Sequence, residues 1–247
     1  MTDKAKNFAE LHVKGTPLVL YNCWDAGSAA AIAASGAKAL ATGSWAVAVA
    51  QGYKDGQAIP MEQVLGLAQR IVAGNDIPVT LDFEGAYGGT PQEVAANASA
   101  VAQTGVVGIN FEDRHVQGEG LWSMTEQSAR IAAIRAAVGP DFFINARTDV
   151  FMQSKPDAHG AGLDEAIARG QAYATAGASG FFVPMLSDIG LITQICAQVP
   201  LPVNVMMQPA LPDRAALAQA GVARISYGPS SFVAAMKDLT AAASKVL

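Results

Sequence analysis

Short apolar runs alternate with alanine-rich stretches of helical period along the whole chain. The runs are PLVLYN (17–22), AKALATG (37–43), PVTLDFE (78–84), GVVGINFED (105–113), FFINARTD (142–149), GFFVPM (180–185), PVNVMM (202–207) and ARISYG (223–228). They are short, apolar on both faces and rich in Val, Ile and Phe, as strands of a parallel sheet covered on both sides must be. Between them, segments 61–75, 91–105, 124–139, 162–178 and 188–199 are amphipathic at helix period. Several close on Gly, a helix stop, and Thr90-Pro91 and Ser123 stand where N-caps belong. Eight strand–helix units in 247 residues predict a single (β/α)8 (TIM) barrel domain over 1–247. A doubly wound open sheet is the rival fold. Its dinucleotide-binding version expects G-x-G-x-x-G after the first strand, and none is present. Residues 2–13 predict an extra helix covering one barrel end. The stretch 28–50, the richest in apolar residues, reads as a packed helix followed by a strand. Lys38, Gly36, Gly43 and several hydroxyls separate it from a membrane span.

Composition narrows the function. Apolar residues make up 51% and charged ones 15%, enough for one large core and unlike a disordered chain. The net charge of −5, with no basic block, argues against a nucleic-acid groove. Two cysteines, Cys23 and Cys196, lack paired spacing and indicate a reducing compartment without a disulfide framework. The opening MTDKAKNFAELHVKG is too polar for a signal peptide. The expectation is a soluble cytoplasmic protein.

The polar residues collect at the C-terminal ends of the predicted strands, where a barrel builds its active site. These are Thr42-Gly43-Ser44, Asp82 and Glu84, Glu112-Asp113-Arg114, Asn145 with Arg147 and Asp149, Asn204, and Arg224 with Ser226 and Tyr227. Asp82 and Glu84 alternate with Phe83 and are expected on one strand face. Glu112 ends the next strand. Three carboxylates on one side of a barrel mouth repel unless a cation compensates. Hard oxygen donors at that density suit Mg²⁺, or Mn²⁺ in its place. Ion pairs with Arg114, Arg147 and Arg224 are the plainer explanation, and spacing alone leaves both open.

Five motifs in order, 22-NCWDAGSA-29, 52-GYKDG-56, 79-VTLDFEGAYGG-89, 106-VVGINFEDR-114 and 143-FINARTDVF-151, resemble the isocitrate lyase/phosphoenolpyruvate mutase superfamily over nearly the whole chain. The resemblance implies a (β/α)8 barrel whose last helix is exchanged with a neighbouring subunit, in a dimer or tetramer. It also implies Mg²⁺-dependent chemistry on C–C or C–P bonds of small 2-oxo or 2-hydroxy acids. By position it implies Asp82 as direct metal ligand, with Glu84 and Glu112 acting through water. Thr42, Gly43 and Ser44 would hold a substrate carboxylate, and Arg147 an anionic end or developing charge. Asp55 would lie on a mobile loop flanked by Gly52 and Gly56. The amphipathic tail 230–247 is apolar enough to dock on a neighbour.

The chain also departs from this pattern. Isocitrate and methylisocitrate lyases carry a Lys-Cys-Gly-His motif after the fourth strand, and here 112-EDRHVQGEGLWS-123 has neither lysine nor cysteine. Phosphoenolpyruvate mutases keep a lysine there and a histidine near the end of the sixth strand, where this chain has Pro184-Met185. His115 is the candidate acid or base in that loop. Tyr21, Trp24, Trp45 and Asn204 are candidates for the substrate pocket. Cys23 is near the mouth without an activating base. Asp113 is expected to orient Arg114 or cap a turn, Met206 and Met207 to pack, and His12 and His159 to lie on the surface. The leading function is a Mg²⁺-dependent lyase that cleaves a C–C bond of a small acid through an enolate. C–P chemistry on phosphonopyruvate-like acids, an oxo-acid-binding barrel with little catalysis, and a phosphate-binding barrel using Gly228-Pro229-Ser230-Ser231 remain alternatives.

Overall fold

The computed structural model describes residues 3–247, so residue 2 of the predicted N-terminal helix lies outside the described residues. In chain order the elements are α1 (Asp3–Glu10), β1 (Leu18–Leu20), α2 (Ala26–Ala34), β2 (Leu40–Ala41), α3 (Ser44–Ala50), α4 (Met61–Ala73), β3 (Val79–Asp82) and α5 (Pro91–Ala102). There follow β4 (Gly108–Glu112), α6 (Met124–Val138), β5 (Phe143–Arg147), 3₁₀ turns Val150–Met152 and Pro156–Gly162, and α7 (Leu163–Thr175). The chain ends with β6 (Gly180–Val183), α8 (Ile189–Gln198), β7 (Val203–Met206), α9 (Arg214–Gln219), β8 (Arg224–Ser226) and α10 (Ser230–Ala243). The strands from β2 to β8 pair in parallel with their sequence neighbours, and β8 pairs with β1. Cys23 closes the remaining seam. Its N–H donates to the Ala41 carbonyl at 2.8 Å, and its carbonyl accepts from Gly43 N–H at 3.2 Å. The fold is a (β/α)8 barrel.

Local chemistry explains the boundaries. Thr90 and Ser123 each form a capping box, with Glu93 and Glu126 respectively. Gly36, Gly105, Gly139 and Gly177 end helices in left-handed backbone. The stretch 28–50 holds one element more than expected: helix, short strand, then the second helix α3, N-capped at Gly43. The expected strand is β2, and the residues after it form the additional helix. Ala46, Val47 and Ala48 are buried consecutively on a turn of that helix.

Alternation along the strands divides the barrel in two. Leu81, Ile109, Ile144, Phe181, Val203 and Ile225 belong to the main apolar core with the helices. On β3, β4, β5, β7 and β8 polar residues alternate with them, and register sets Asp82 beside Asn110, Asn110 beside Asn145, and Asn204 beside Arg224. They bond to one another across the interior. Asn110 Oδ1 accepts from Asn145 Nδ2 at 2.9 Å and from Arg224 Nη2 at 3.2 Å, while Asn204 Nδ2 donates to Ser226 Oγ at 3.2 Å. Such barrels more often fill their interior with branched aliphatic layers. A second apolar cluster, built by Phe8 of α1 with Leu18, Leu20, Val107 and Phe143, closes the opposite end.

His12 and His159 are buried, against the surface expectation. His12 stacks on Phe143 at 4.1 Å, and its Nδ1 lies 2.8 Å from the Phe8 carbonyl, because the chain after α1 folds back under the barrel floor. His159 is tucked beside Phe151 by the 3₁₀ turns.

Burial, aided by the Arg224 charge, pushes the His12 imidazole down to about 3, against an ordinary 6.5. The folded state keeps it neutral where the unfolded chain protonates it. Stability is therefore expected to fall as pH drops from 6.5 towards 3, by up to about 1.4 kcal/mol per unit. Urea unfolding across that window should show a flatter acid limb in His12→Phe; an unchanged limb would contradict the assignment.

Candidate active site

Asp82 ends β3 and is held on three sides. Its N–H donates to Thr42 Oγ1 at 2.9 Å, its Oδ2 accepts from Ser44 N–H at 3.0 Å, and its Oδ1 accepts from Asn110 Nδ2 at 3.3 Å. Glu84 does not continue the strand face. The strand stops at Asp82, and Glu84 sits in the following turn with left-handed backbone (φ 51°). Its buried carboxylate accepts from Gln57 N–H at 2.9 Å. Burial first, then Asp55, Asp82 and Glu112, push it up to about 8. Glu112 ends β4 in register with Arg147, whose Nη1 lies 2.9 Å from Glu112 Oε2. Arg147 also grips Asp149 with Nε and Nη2. Burial opposes the Arg147 charge, but Glu112 and Asp149 more than offset it and hold the guanidinium above its ordinary value. Glu112 is buried and raised for that reason, against the pull of Arg147.

These groups surround a cavity of about 200 Å³ at the C-terminal end of the barrel. Asp55, Asp82, Arg147, Ser44 and Asn110 form its polar side, and Trp45, Met152, Phe182, Met185 and Met206 its apolar side. Burial and the Asp82 charge hold the Asp55 carboxyl above the ordinary range. Met185 carries left-handed backbone (φ 65°), a strained conformation of the kind that collects at functional sites. Among the described residues no three His, Cys, Asp or Glu side chains converge into a direct metal cluster. Asp82 is the one of the three expected ligands that lines the cavity.

The structure brings Gly43, Ser44, Trp45, Asp55, Asp82 and Arg147 together at this cavity, with Thr42, Glu84 and Glu112 in support. The anion cradle expected at Thr42–Ser44 is engaged internally. Gly43 N–H goes to the Cys23 carbonyl, Ser44 N–H to Asp82, and Thr42 Oγ1 accepts from Asp82 N–H. Tyr21, Trp24, His115 and Asn204 are not in the lining. Tyr21 is exposed against Tyr227 on the barrel's outside, Trp24 packs on Phe232, and Asn204 lies buried in the barrel bonded to Ser226. His115 stacks on Trp122 at 4.1 Å and faces a separate depression lined by Gln57, Tyr87, Arg114 and Arg130. Met206, expected to pack, lines the cavity. Asn110, missed in the sequence, was within reach: it lies two residues before Glu112 and so shares its strand face.

Three neighbouring groups have structural tasks. Asp113 does not orient Arg114; it is fully buried and accepts from Asp149 N–H, Arg169 and Tyr173. Arg224 bonds to Asn110 and Ser226 rather than to a carboxylate. The buried Cys23 thiol donates to the Ala41 carbonyl, and burial pushes it up to about 12, far from a nucleophile at neutral pH.

Comparison with known proteins agrees with the geometry. The family model described as phosphoenolpyruvate phosphomutase matches residues 8–247. The chain belongs to the isocitrate lyase/phosphoenolpyruvate mutase superfamily. A crystal structure from Burkholderia cenocepacia J2315, provisionally named a phosphonomutase, superposes with a TM-score of 0.96 at 45% identity, over 99% of both chains. An uncharacterized protein of Mycobacterium tuberculosis is 34% identical over 97% of this chain and 88% of its own. The 2-methylisocitrate lyase of Escherichia coli is 29% identical over 80% of this chain and 68% of its own. Superfamily members include lyases, mutases and a hydrolase. No helix among the described residues is long and apolar enough to cross a membrane.

The Asp113 network fixes the end of β4 to α7. Removing its cation leaves a buried charge without its ionic partner, so Arg169→Met is expected to lower stability by about 3–5 kcal/mol in urea unfolding. A loss below about 1 kcal/mol would show that Asp113 does not depend on Arg169.

Proposed function

We propose that the protein is a Mg²⁺-dependent lyase that cleaves a C–C bond of a small 2-oxo or 2-hydroxy carboxylic acid. The observation that carries this reading is the cavity's charge balance. Asp55 and Asp82 face it, Glu84 and Glu112 lie behind them, and Arg147 is the one cationic side chain in its lining. Burial and mutual repulsion raise Glu84 well above a normal carboxylate, and a cation held among these groups would offset that repulsion. A hard dication fits: Asp82 would hold it directly, and Glu84 and Glu112 through water, the habit of an ion that dehydrates reluctantly. When bound, it supplies a Lewis-acid centre that polarises the substrate carbonyl.

The chain's own residues supply the rest. Arg147, kept charged and oriented by Glu112 and Asp149, meets the acid's carboxylate or the negative charge that grows on enolate formation. Asp55, whose carboxyl is raised, is the lining group suited to hold or accept a proton. The cavity is smaller than the ~300–1,000 Å³ of drug-sized sites, which limits the substrate to a few carbons. Phe182, Met185 and Met206 favour an alkyl substituent over a second anionic group. A phosphonate dianion would meet two carboxylates, Asp55 and Asp82, and one arginine, so this lining supports C–C over C–P chemistry. The C-terminal helix supports an oligomer. Of α10 only Ser231 and Phe232 are buried, and Val233 and Leu239 are 52% and 61% exposed, a surface suited to a second copy of the chain.

The test is 2-oxo-acid release with Mg²⁺ and after its removal by chelator: pyruvate from oxaloacetate, and glyoxylate or pyruvate from four- and five-carbon 2-hydroxy acids according to whether C2 carries hydrogen or methyl. At least one acid should be turned over only with the metal, and Asp82→Ala should lower that rate by about 10²-fold or more. If nothing in the panel reacts and Asp82→Ala behaves as wild type, the lyase reading fails.

A further inference from the structure

The turn after β3 is built in an unusual way. Glu84, Ala86 and Tyr87 all hold left-handed backbone (φ 51, 60 and 53°), which side chains other than glycine rarely accept. The turn directs the N–H groups of Gly85, Ala86 and Tyr87 at one point, the Ala86 N–H being shared with the Phe83 carbonyl at 2.9 Å. The Gln57 carboxamide occupies that point. Oriented as those donors require, its oxygen accepts from the three at 3.0, 3.1 and 2.9 Å. A nest of consecutive N–H groups strongly favours an oxygen acceptor. The Gln57 main-chain N–H donates to Glu84 Oε2 at the same time.

Gln57 follows Asp55 by two residues, and Gly52 and Gly56, both left-handed (φ 81 and 91°), bracket the segment. Other bonds hold mainly its first half: Tyr53 N–H donates to the Ala48 carbonyl and Gln63 Nε2 to Tyr53 Oη, both at 2.9 Å, while beyond it Gln117 Nε2 reaches the Gly56 carbonyl at 3.3 Å. Packing at the join is tight. A Cβ on Gly85 would lie 2.9 Å from Val116 Cγ2 and 3.2 Å from the Gln57 carboxamide.

We propose that Gln57 is a positioning residue: seated in the 85–87 nest, it fastens segment 52–57 to the end of β3, sets Asp55 at the cavity and braces Glu84. The assignment rests on reading that cavity as the active site. Glutamine suits the task because it offers the nest an oxygen without adding a further negative charge beside Glu84 and Asp55.

The test compares wild type with Gln57→Met, which has no acceptor oxygen, and Gln57→Asn, whose carboxamide is one carbon short of the nest. Amide exchange at Gly85 and Tyr87 and tryptic cleavage after Lys54 should each rise about tenfold or more in both variants. Exchange within β4 and the thermal midpoint should stay at wild-type values. With an acid that the protein turns over, kcat should fall about tenfold while KM moves little, since a displaced Asp55 affects the proton step more than binding. Exchange and cleavage need no substrate, so they report on the latch even if the lyase reading fails. Wild-type exchange at Gly85 and Tyr87 together with wild-type cleavage at Lys54 in both variants would overturn the proposal.

Discussion

Asp82, Glu84 and Glu112 are held within reach of each other's charge at the mouth of a closed barrel, and much of the surrounding structure exists to tolerate that. An unpaired buried carboxylate would neutralise or unfold its surroundings. Each of the three is given donors instead. Asp82 takes Ser44 N–H and Asn110 Nδ2, Glu84 takes Gln57 N–H, and Glu112 takes Arg147. The donors come from different strands and loops, so the charge cluster forms only when the barrel closes.

The same constraint accounts for the polar interior. Beneath Asp82 lie Asn110, Asn145 and the fully buried Arg224, bonded in series rather than packed as aliphatic layers. Burial pulls the Arg224 guanidinium down to about 9, with the Asp82 charge opposing, so it remains cationic at neutral pH under an acidic mouth. Apolar cohesion moves to the sheet–helix layer and to the Phe8–Phe143 floor. Stability and charge support are thus placed on alternate residues of the same strands.

The loop after β4, which has neither the lysine nor the cysteine of the motif expected for isocitrate and methylisocitrate lyases, faces the separate depression rather than the cavity. Asp113 is anchored by Arg169 and Tyr173, and Trp122 carries both His115 and the Arg130 guanidinium against its ring. That leaves the apolar wall of Phe182, Met185 and Met206, beside Asp55, to shape what the cavity accepts.

Strands, helix caps and the acidic strand ends were legible in the sequence because each depends on local periodicity or on a neighbour three residues away. The eight apolar runs, Thr90, Ser123, Asp82 and Glu112 all fall where pattern put them. Errors began where the partner is distant in sequence. Whether His12 is buried depends on Phe143, whether Met206 lines or packs depends on β6 and β8, and whether Asp113 serves Arg114 or Arg169 depends on α7. Glu84 escaped strand alternation because a turn reversed its backbone, a choice tied to Gln57 across the site. The sequence by itself determined the barrel and the acidic strand ends at its mouth, since alternation and residue type are local properties. Tertiary structure decided which polar groups meet the cavity and which are already bonded, since burial and hydrogen bonding are settled by residues far apart along the chain.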